Sequence, residues 1–232
     1  LQFASNNNGY DGSDTQIMIN HPAITAHFTA LTDWKENGLF EWYGTGWGDN
    51  AKPFEDGDVA MWLGSSGSFG GLLKKDLGFE FSATMLPYWE SVTTEPTQTF
   101  IGGAALFAMS GKSDEENKAT AAFFDFLASA DTQYFWHEAT GYVPITQAAY
   151  ELAREKGHYD RFPAAEVGIK QLTLPAGDFT RGYRMGFYVQ IRDVMNREYG
   201  RILTGETSVD DAFSTIETEA NELLARFSKT QG

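Results

Sequence analysis

Three short apolar runs, residues 59–63, 79–89 and 99–109, alternate along this chain with stretches whose apolar residues recur every three or four positions. Strands and helices impose different side-chain periods, two and about 3.6, so the two kinds of segment are distinguishable in sequence. Their alternation restricts the chain to an α/β protein with layered packing. Ile24, Phe28, Leu31 and Trp34 outline a first amphipathic helix that stops at Gly38. A helix is also expected from about Phe69, after the Ser/Gly turn "LGSSGSFGG". Ser113, followed by three acidic residues, opens another, with Ala119, Ala122, Phe123, Phe126 and Leu127 as its expected buried stripe. Asp131 opens the next and Gly141 closes it, because glycine takes the φ > 0 of a helix C-cap and Pro144 prevents resumption. "QAAYELAREKG" is helical, and residues 163–180 read as loop. Two helices finish the chain: one over roughly 186–203, the other capped by Ser208 with Phe213, Ile216, Ala220, Leu223 and Phe227 on one face.

The 232 residues leave the domain count open, as one cooperative body or two interwoven lobes, and suffice to bury a core. A formal charge of −15 argues against nucleic acid or an anionic membrane as the main partner. It leaves room for a small anion, since a site is governed by its nearest donors and salt screens the rest. The absence of cysteine removes disulfides, thiolate nucleophiles and cysteine metal sites. No apolar run reaches the length of a membrane span. The chain opens on Leu1 and soon enters the turn-rich "NNNGYDGSD", so it is expected to be processed or incomplete.

Several segments carry chemistry. The turn "LGSSGSFGG" follows a strand-like run and offers backbone N–H groups with the hydroxyls of Ser65, Ser66 and Ser68, a donor set suited to an anion. It lacks the Gly-Lys-Ser/Thr of a nucleotide-phosphate loop, and a solvated turn is the competing reading. Gly102 and Gly103 interrupt an apolar run, where glycine implies a bulge, close backbone packing or a ligand against the main chain. Arg192 has mostly apolar sequence neighbours and needs a partner, either a protein carboxylate or a bound anion matched to its planar fork. Tyr142 is held between Gly141 and Pro144, as a cap contact or as a ligand contact. Trp42, Tyr43 and Trp47 are candidates to stack a sugar ring, or are exposed helix-end aromatics. His21, His27, His137 and His158 show no metal-ligand spacing, and no Gly-x-Ser-x-Gly elbow is present. No metal or cofactor is expected.

Taken in order, "LQFASNNNGYDGSD", "FEDGDVAM", "SSGS", "IGGAALFAM", "TGYVPITQAAYELAREKGHYD" and "QIR" resemble the C-terminal half of the periplasmic glycerol-3-phosphate-binding proteins of ABC importers. The resemblance covers nearly the whole chain. It implies a two-lobed periplasmic binding protein fold with the ligand in the cleft between the lobes. Residues 1–85 and 146–232 would form the second lobe, residues 86–145 a hinge crossing and a return into the first, and the N-terminal half of the first lobe would be absent.

Carried over residue by residue, the resemblance implies ligand contacts from Ser65, Gly103, Tyr142 and Arg192, with Ser66, Ser68, Gly102 and Tyr188 as secondary positions. A hydroxyl, a main-chain N–H, a phenol and a guanidinium are complementary donors for one phosphate. Phe187 and Tyr188 depart from the family pattern, as does "SFGG" after the serines, which brings glycerophosphodiesters such as glycerophosphocholine beside glycerol-3-phosphate as ligands. The implied protein is a non-enzymatic, monomeric periplasmic carrier that delivers its small-molecule ligand to the transmembrane subunits of an ABC permease. A sugar or oligosaccharide carrier of the same fold is the alternative, and a glycoside or phosphodiester hydrolase a third reading.

Overall fold

The computed structural model describes residues 1–46 and 48–230. The chain divides into two compact units, one formed by residues 1–54 and 176–232 and the other by residues 55–175. The first passage between units falls within the short helix Ala51–Glu55. The expected lobe boundaries at 85/86 and 145/146 both lie inside the second unit.

The first unit is built on three helices, α1 (Pro22–Glu36), α2 (Tyr188–Leu203) and α3 (Val209–Ser228). Pro22 occupies the first turn of α1, where its missing N–H costs nothing, and His21 caps it by accepting from the Ala23 N–H. Ser208 caps α3 through the Asp211 N–H at 3.1 Å, with Asp210 and Asp211 facing the positive helix end. Phe28, Ile191, Val194, Ile202, Phe213, Ile216, Ala220 and Leu224 close on one another with Ala4, Ile17 and Ile19 of the N-terminal segment. Phe28 sits at the centre, its ring 4.5 Å from Tyr199 and 5.5 Å, edge-on, from Phe213. Of the stripes expected on the first and last helices, Phe28, Phe213, Ile216 and Ala220 are buried, Ile24, Leu31 and Leu223 pack half-buried against them, Phe227 is half-buried, and Trp34 stays 41% exposed. Glu198, fully buried on α2, accepts from Arg197 Nε at 2.7 Å and Arg201 Nη1 at 2.9 Å, so both carboxylate oxygens are satisfied.

The turn "NNNG" does more than reverse the chain. Asn6, Asn7 and Asn8 all adopt the left-handed conformation, which asparagine tolerates better than other non-glycine residues. Asn8 Oδ1 then accepts from the N–H groups of Phe3 and Ala4, both at 2.9 Å, and the Asn8 carbonyl accepts from the Arg184 N–H at 2.9 Å. Gly9 lies so close that a methyl there would come within 2.1 Å of the Arg184 carbonyl oxygen. The N-terminal segment is thus tied to residues 182–185.

The second unit contains α4 (Phe69–Leu72), α5 (Asp114–Ala128), α6 (Ala130–Thr140), α7 (Gln147–Glu155), α8 (His158–Arg161) and α9 (Val167–Leu172). The helix expected from Phe69 is a single turn. Residues 163–172, expected as loop, form a 3-10 turn running into α9. Ser129, not Asp131, caps α6. A core of Tyr134, Ala153 and Tyr159, flanked by Tyr150, Leu152, Ala165 and Ile169, joins α6 to α9.

Two expectations for this unit fail. The runs 59–63, 79–89 and 99–109 are extended but unpaired as strands: the one ladder contact among the described residues is an isolated bridge between Ala4 and Ile17, in the first unit. A strand exists only through a neighbour that takes its hydrogen bonds, and here the runs leave Met61 at 88% and Phe107 at 86% exposure. Second, α5 begins as expected, with a capping box in which Ser113 and Glu116 satisfy each other's N–H groups. Its apolar stripe, however, is not buried: Phe123 and Phe126 are 53% and 61% exposed.

This contrast is measurable in the chain itself. Phe213→Ala should lower the unfolding free energy by about 3–5 kcal/mol. Phe123→Ala and Phe126→Ala should change it by no more than about 0.5 kcal/mol. Urea titrations of the three variants check both values.

Candidate functional site

Ser65 caps the 3-10 turn Ser66–Ser68, its hydroxyl accepting from the Gly67 N–H at 3.3 Å. That turn leads directly into α4 and lies against the end of α6. Gly141 closes α6 in the left-handed conformation at φ +83°, its N–H bonded to the His137 carbonyl at 2.8 Å. A methyl on Gly141 would come within 2.7 Å of the Gly70 nitrogen and 2.9 Å of the Ser66 carbonyl oxygen. A methyl on Gly70 would meet the Thr140 carbonyl carbon at 2.5 Å, and one on Gly67 would meet Tyr142 Cε2 at 2.8 Å. Three glycines thus let two stretches of backbone and the face of one phenol ring pack in direct contact.

Tyr142 is held at both ends of its peptide unit. Its N–H donates to Thr140 Oγ1 at 3.1 Å, and its carbonyl accepts from His137 Nδ1 at 2.6 Å. The ring rests on Gly67 and remains half exposed. Ser65 and Tyr142, far apart in sequence, therefore share one surface of the second unit. Ser66 is exposed and backs onto Gly168, and Ser68 is half-buried. Because α4 is only one turn long, the donors at this turn are hydroxyl and peptide groups rather than a substantial helix dipole.

Gly102 and Gly103 also lie in the second unit, but neither has a positive φ, and a methyl on either would meet nothing within 4 Å. Close backbone packing is thus not what the described residues show at these glycines. Arg192 belongs to the first unit. It projects from α2 into solvent, with Ile191 and Val194 buried beside it, and makes no ion pair with the described residues, so the structural salt bridge weighed for it does not form. Phe187, at the start of α2, is left-handed at φ +51° and packs edge-on against Phe227 at 5.6 Å. Tyr188 follows it, 5.6 Å from Tyr183. Trp42 is half-buried in the loop after α1 and Tyr43 is exposed; Trp47 lies outside the described residues.

Sequence reasoning missed the histidines. His137 and His158 are 1% and 3% exposed, with ring centroids 4.9 Å apart. Burial holds both below the ordinary imidazole range, for His137 against the opposing pull of the Tyr142 carbonyl, and for His158 with added repulsion from His137. Beside them, Glu138 is held below the usual carboxylate range, first by its hydrogen bond from the Tyr134 hydroxyl and then by that from Arg161. The usable signal was the spacing from His137 to Tyr142 across a glycine cap. No group of three or more potential metal-ligating side chains occurs among the described residues, and no helix among them is long and apolar enough to cross a membrane.

Ser65 and Tyr142 thus present two exposed hydroxyls on one glycine-packed turn. The chain belongs to the bacterial extracellular solute-binding protein family, whose model matches residues 1–164. It is 38% identical over 230 residues to the sn-glycerol-3-phosphate-binding periplasmic protein UgpB of Salmonella typhimurium, an alignment covering 99% of this chain and 52% of that protein. The Escherichia coli K12 protein of the same name is 37% identical over 231 residues, with the same coverage. The chain therefore spans about half the length of these curated relatives. The crystal structure of the cyclic α-maltosyl-1,6-maltose-binding protein from Arthrobacter globiformis superposes with a TM-score of 0.66 at 23% identity, over 93% of this chain and 51% of the other. That likeness bears out the expected binding-protein fold.

The glycine contacts give a direct test. Gly141→Ala should lower stability by more than about 1 kcal/mol, because it combines a left-handed φ with backbone contacts below 3 Å. Gly103→Ala should change it by no more than about 0.5 kcal/mol. Denaturant unfolding of the two variants reads the difference.

Proposed function

We propose that this chain is part of the solute-binding component of an ABC importer, which captures glycerol-3-phosphate or a glycerophosphodiester in the periplasm and delivers it to the transmembrane subunits. The observation that carries this reading is the 38% identity, across 99% of the chain, to proteins named for binding sn-glycerol-3-phosphate. The chemistry agrees with it. Arg192 is an exposed guanidinium that forms no ion pair with the described residues, and such a fork matches phosphate oxygens in a bidentate way. Tyr142 and Ser65 add hydroxyls, and Gly103 a main-chain N–H at a residue where even an added methyl would meet nothing within 4 Å. Ser66, Ser68, Gly102 and Tyr188 are secondary positions able to adjust the fit to the glycerol or to a headgroup.

In the whole protein, residues 1–85 and 146–232 supply the second lobe, and residues 86–145 return into the first, whose N-terminal half is contributed from outside this chain. The carrier acts as a monomer and performs no turnover. A sugar-carrying alternative draws on the aromatics Trp42 and Tyr43 and on the 23% identical neighbour, but a neutral sugar has no need of a guanidinium such as that of Arg192.

Calorimetric titration of the full-length protein with glycerol-3-phosphate, glycerophosphocholine and maltose tests the reading. Either phosphate compound should bind, and Arg192→Ala should weaken that binding by roughly 10- to 100-fold, the worth of a hydrogen-bonded charge. Saturation by maltose alone would replace this reading with the sugar carrier. Conversion of a glycoside or phosphodiester would replace it with a hydrolase.

A further inference from the structure

Tyr142 follows a glycine cap and is half exposed, so little of its ring is fixed by burial. What holds its backbone is a bond from inside the unit. His137 Nδ1 lies 2.6 Å from the Tyr142 carbonyl oxygen, and because a carbonyl only accepts, Nδ1 carries the proton. The neutral tautomer then leaves Nε2 as a bare acceptor, buried and without a hydrogen-bond partner among the described residues. The second ring, His158, packs against the first, and its Nδ1 is also buried without a hydrogen-bond partner, 3.9 Å from Glu138 Oε1. The Tyr159 hydroxyl is a third such atom.

We propose that His137, braced by His158, is a positioning residue for the ligand-contacting tyrosine: its neutral ring fixes the Tyr142 carbonyl and so the direction of the phenol, and protonation of the pair releases that hold. The proposal rests on the reading of Tyr142 as a ligand contact. A proton added to His137 Nε2 would be a buried donor with no acceptor, so the charged ring is stable only after leaving its seat. The charged and titratable groups facing the pair do not offset this. On α6 they are Tyr134 and Glu138, the latter already engaged by Tyr134 and Arg161. On α8 they are Tyr159, Asp160 and Arg161. From α7, Tyr150 reaches the Tyr159 ring, and Lys156 at its C-cap reaches the Tyr134 ring; Glu166 is taken by Tyr150 and Lys170. From the turn after α4, Lys74 donates to the Ala139 carbonyl at the end of α6.

The direction in pH follows. Both folded-state imidazoles are held below their ordinary value, so the unfolded or displaced loop binds more protons than the seated one. The hold is complete above the ordinary imidazole pKa of about 6.5 and is lost as pH falls below it, by up to tenfold per histidine per pH unit.

The test measures affinity of the full-length protein for sn-glycerol-3-phosphate from pH 7.5 to pH 5 in wild type, Tyr142→Phe, His137→Ala and His137→Asn. The ligand itself titrates near pH 6, but that contribution is common to all four proteins and drops out of their ratios. At pH 7.5, His137→Ala should weaken binding roughly three- to tenfold, as Tyr142→Phe does, and a fifth protein carrying both substitutions should lose no more than either alone. His137→Asn, whose amide reaches the same carbonyl without titrating, should recover most of that loss and flatten the pH dependence relative to wild type. A His137→Asn profile parallel to wild type overturns the proposal, as does an unchanged affinity in His137→Ala when Tyr142→Phe is weakened. An unchanged affinity in Tyr142→Phe removes the ligand-contact reading itself, and the proposal with it.

Discussion

A single residue without a side chain, Gly141, is the point on which the second unit's candidate site depends. It ends α6 in a conformation that other residues adopt only with strain, and it leaves room for Gly70 and Ser66 to reach the helix end. Remove that room and the backbone contact that seats the Ser65 turn against the end of α6 and the Tyr142 ring is lost. The contact is backbone on backbone, which is stiff and tolerates little displacement. Such stiffness suits a recognition surface: donors already held in place lose little entropy when a ligand arrives.

The two units achieve order by different means. In the first, aromatic and branched residues from three helices and the N-terminal segment close on Phe28 and Phe213, and even its buried carboxylate, Glu198, has both oxygens satisfied by arginines. In the second, the central cluster is small and rich in tyrosine and histidine, and it carries three buried polar atoms without hydrogen-bond partners among the described residues. Its larger apolar side chains, including those of α5, face outward. Burial of apolar area is the main favourable term in folding. The second unit draws less of it from its own residues, which makes its caps and glycine contacts correspondingly more important.

How much of this was legible in the sequence follows from how local each interaction is. The helix start at Ser113, the cap at Ser208 and the left-handed Gly141 are decided within a few residues, and all three form as read. Strand pairing is decided by a neighbour elsewhere, so runs such as 99–109 had strand chemistry without a ladder to join. The exposure of Phe123 and Phe126 has the same origin: periodicity identifies an apolar face but not what covers it. The exposure of Arg192 has a different origin. Its sequence neighbours are apolar, yet on a helix the residue after Ile191 points about 100° away from it, and the buried set Ile191, Val194, Glu198 and Ile202 runs along the opposite stripe. The pairing of His137 with His158 needed the third dimension.

An acidic chain holding a phosphate, as the proposed function requires, poses an electrostatic question with a definite answer. The formal charge of −15 is spread over the surface, and at physiological ionic strength each exposed charge is felt over only about 8 Å. Long-range attraction therefore does nothing to speed capture, and affinity has to come from donors in direct contact. A guanidinium in water interacts weakly with an anion, because the dielectric constant of the solvent divides the Coulomb energy. The same guanidinium, enclosed with the anion and cut off from solvent, interacts several times more strongly. An exposed Arg192 that forms no ion pair with the described residues is thus a donor whose strength is realised only when water is excluded around it, and for such a carrier closing on the ligand and binding it tightly are the same event.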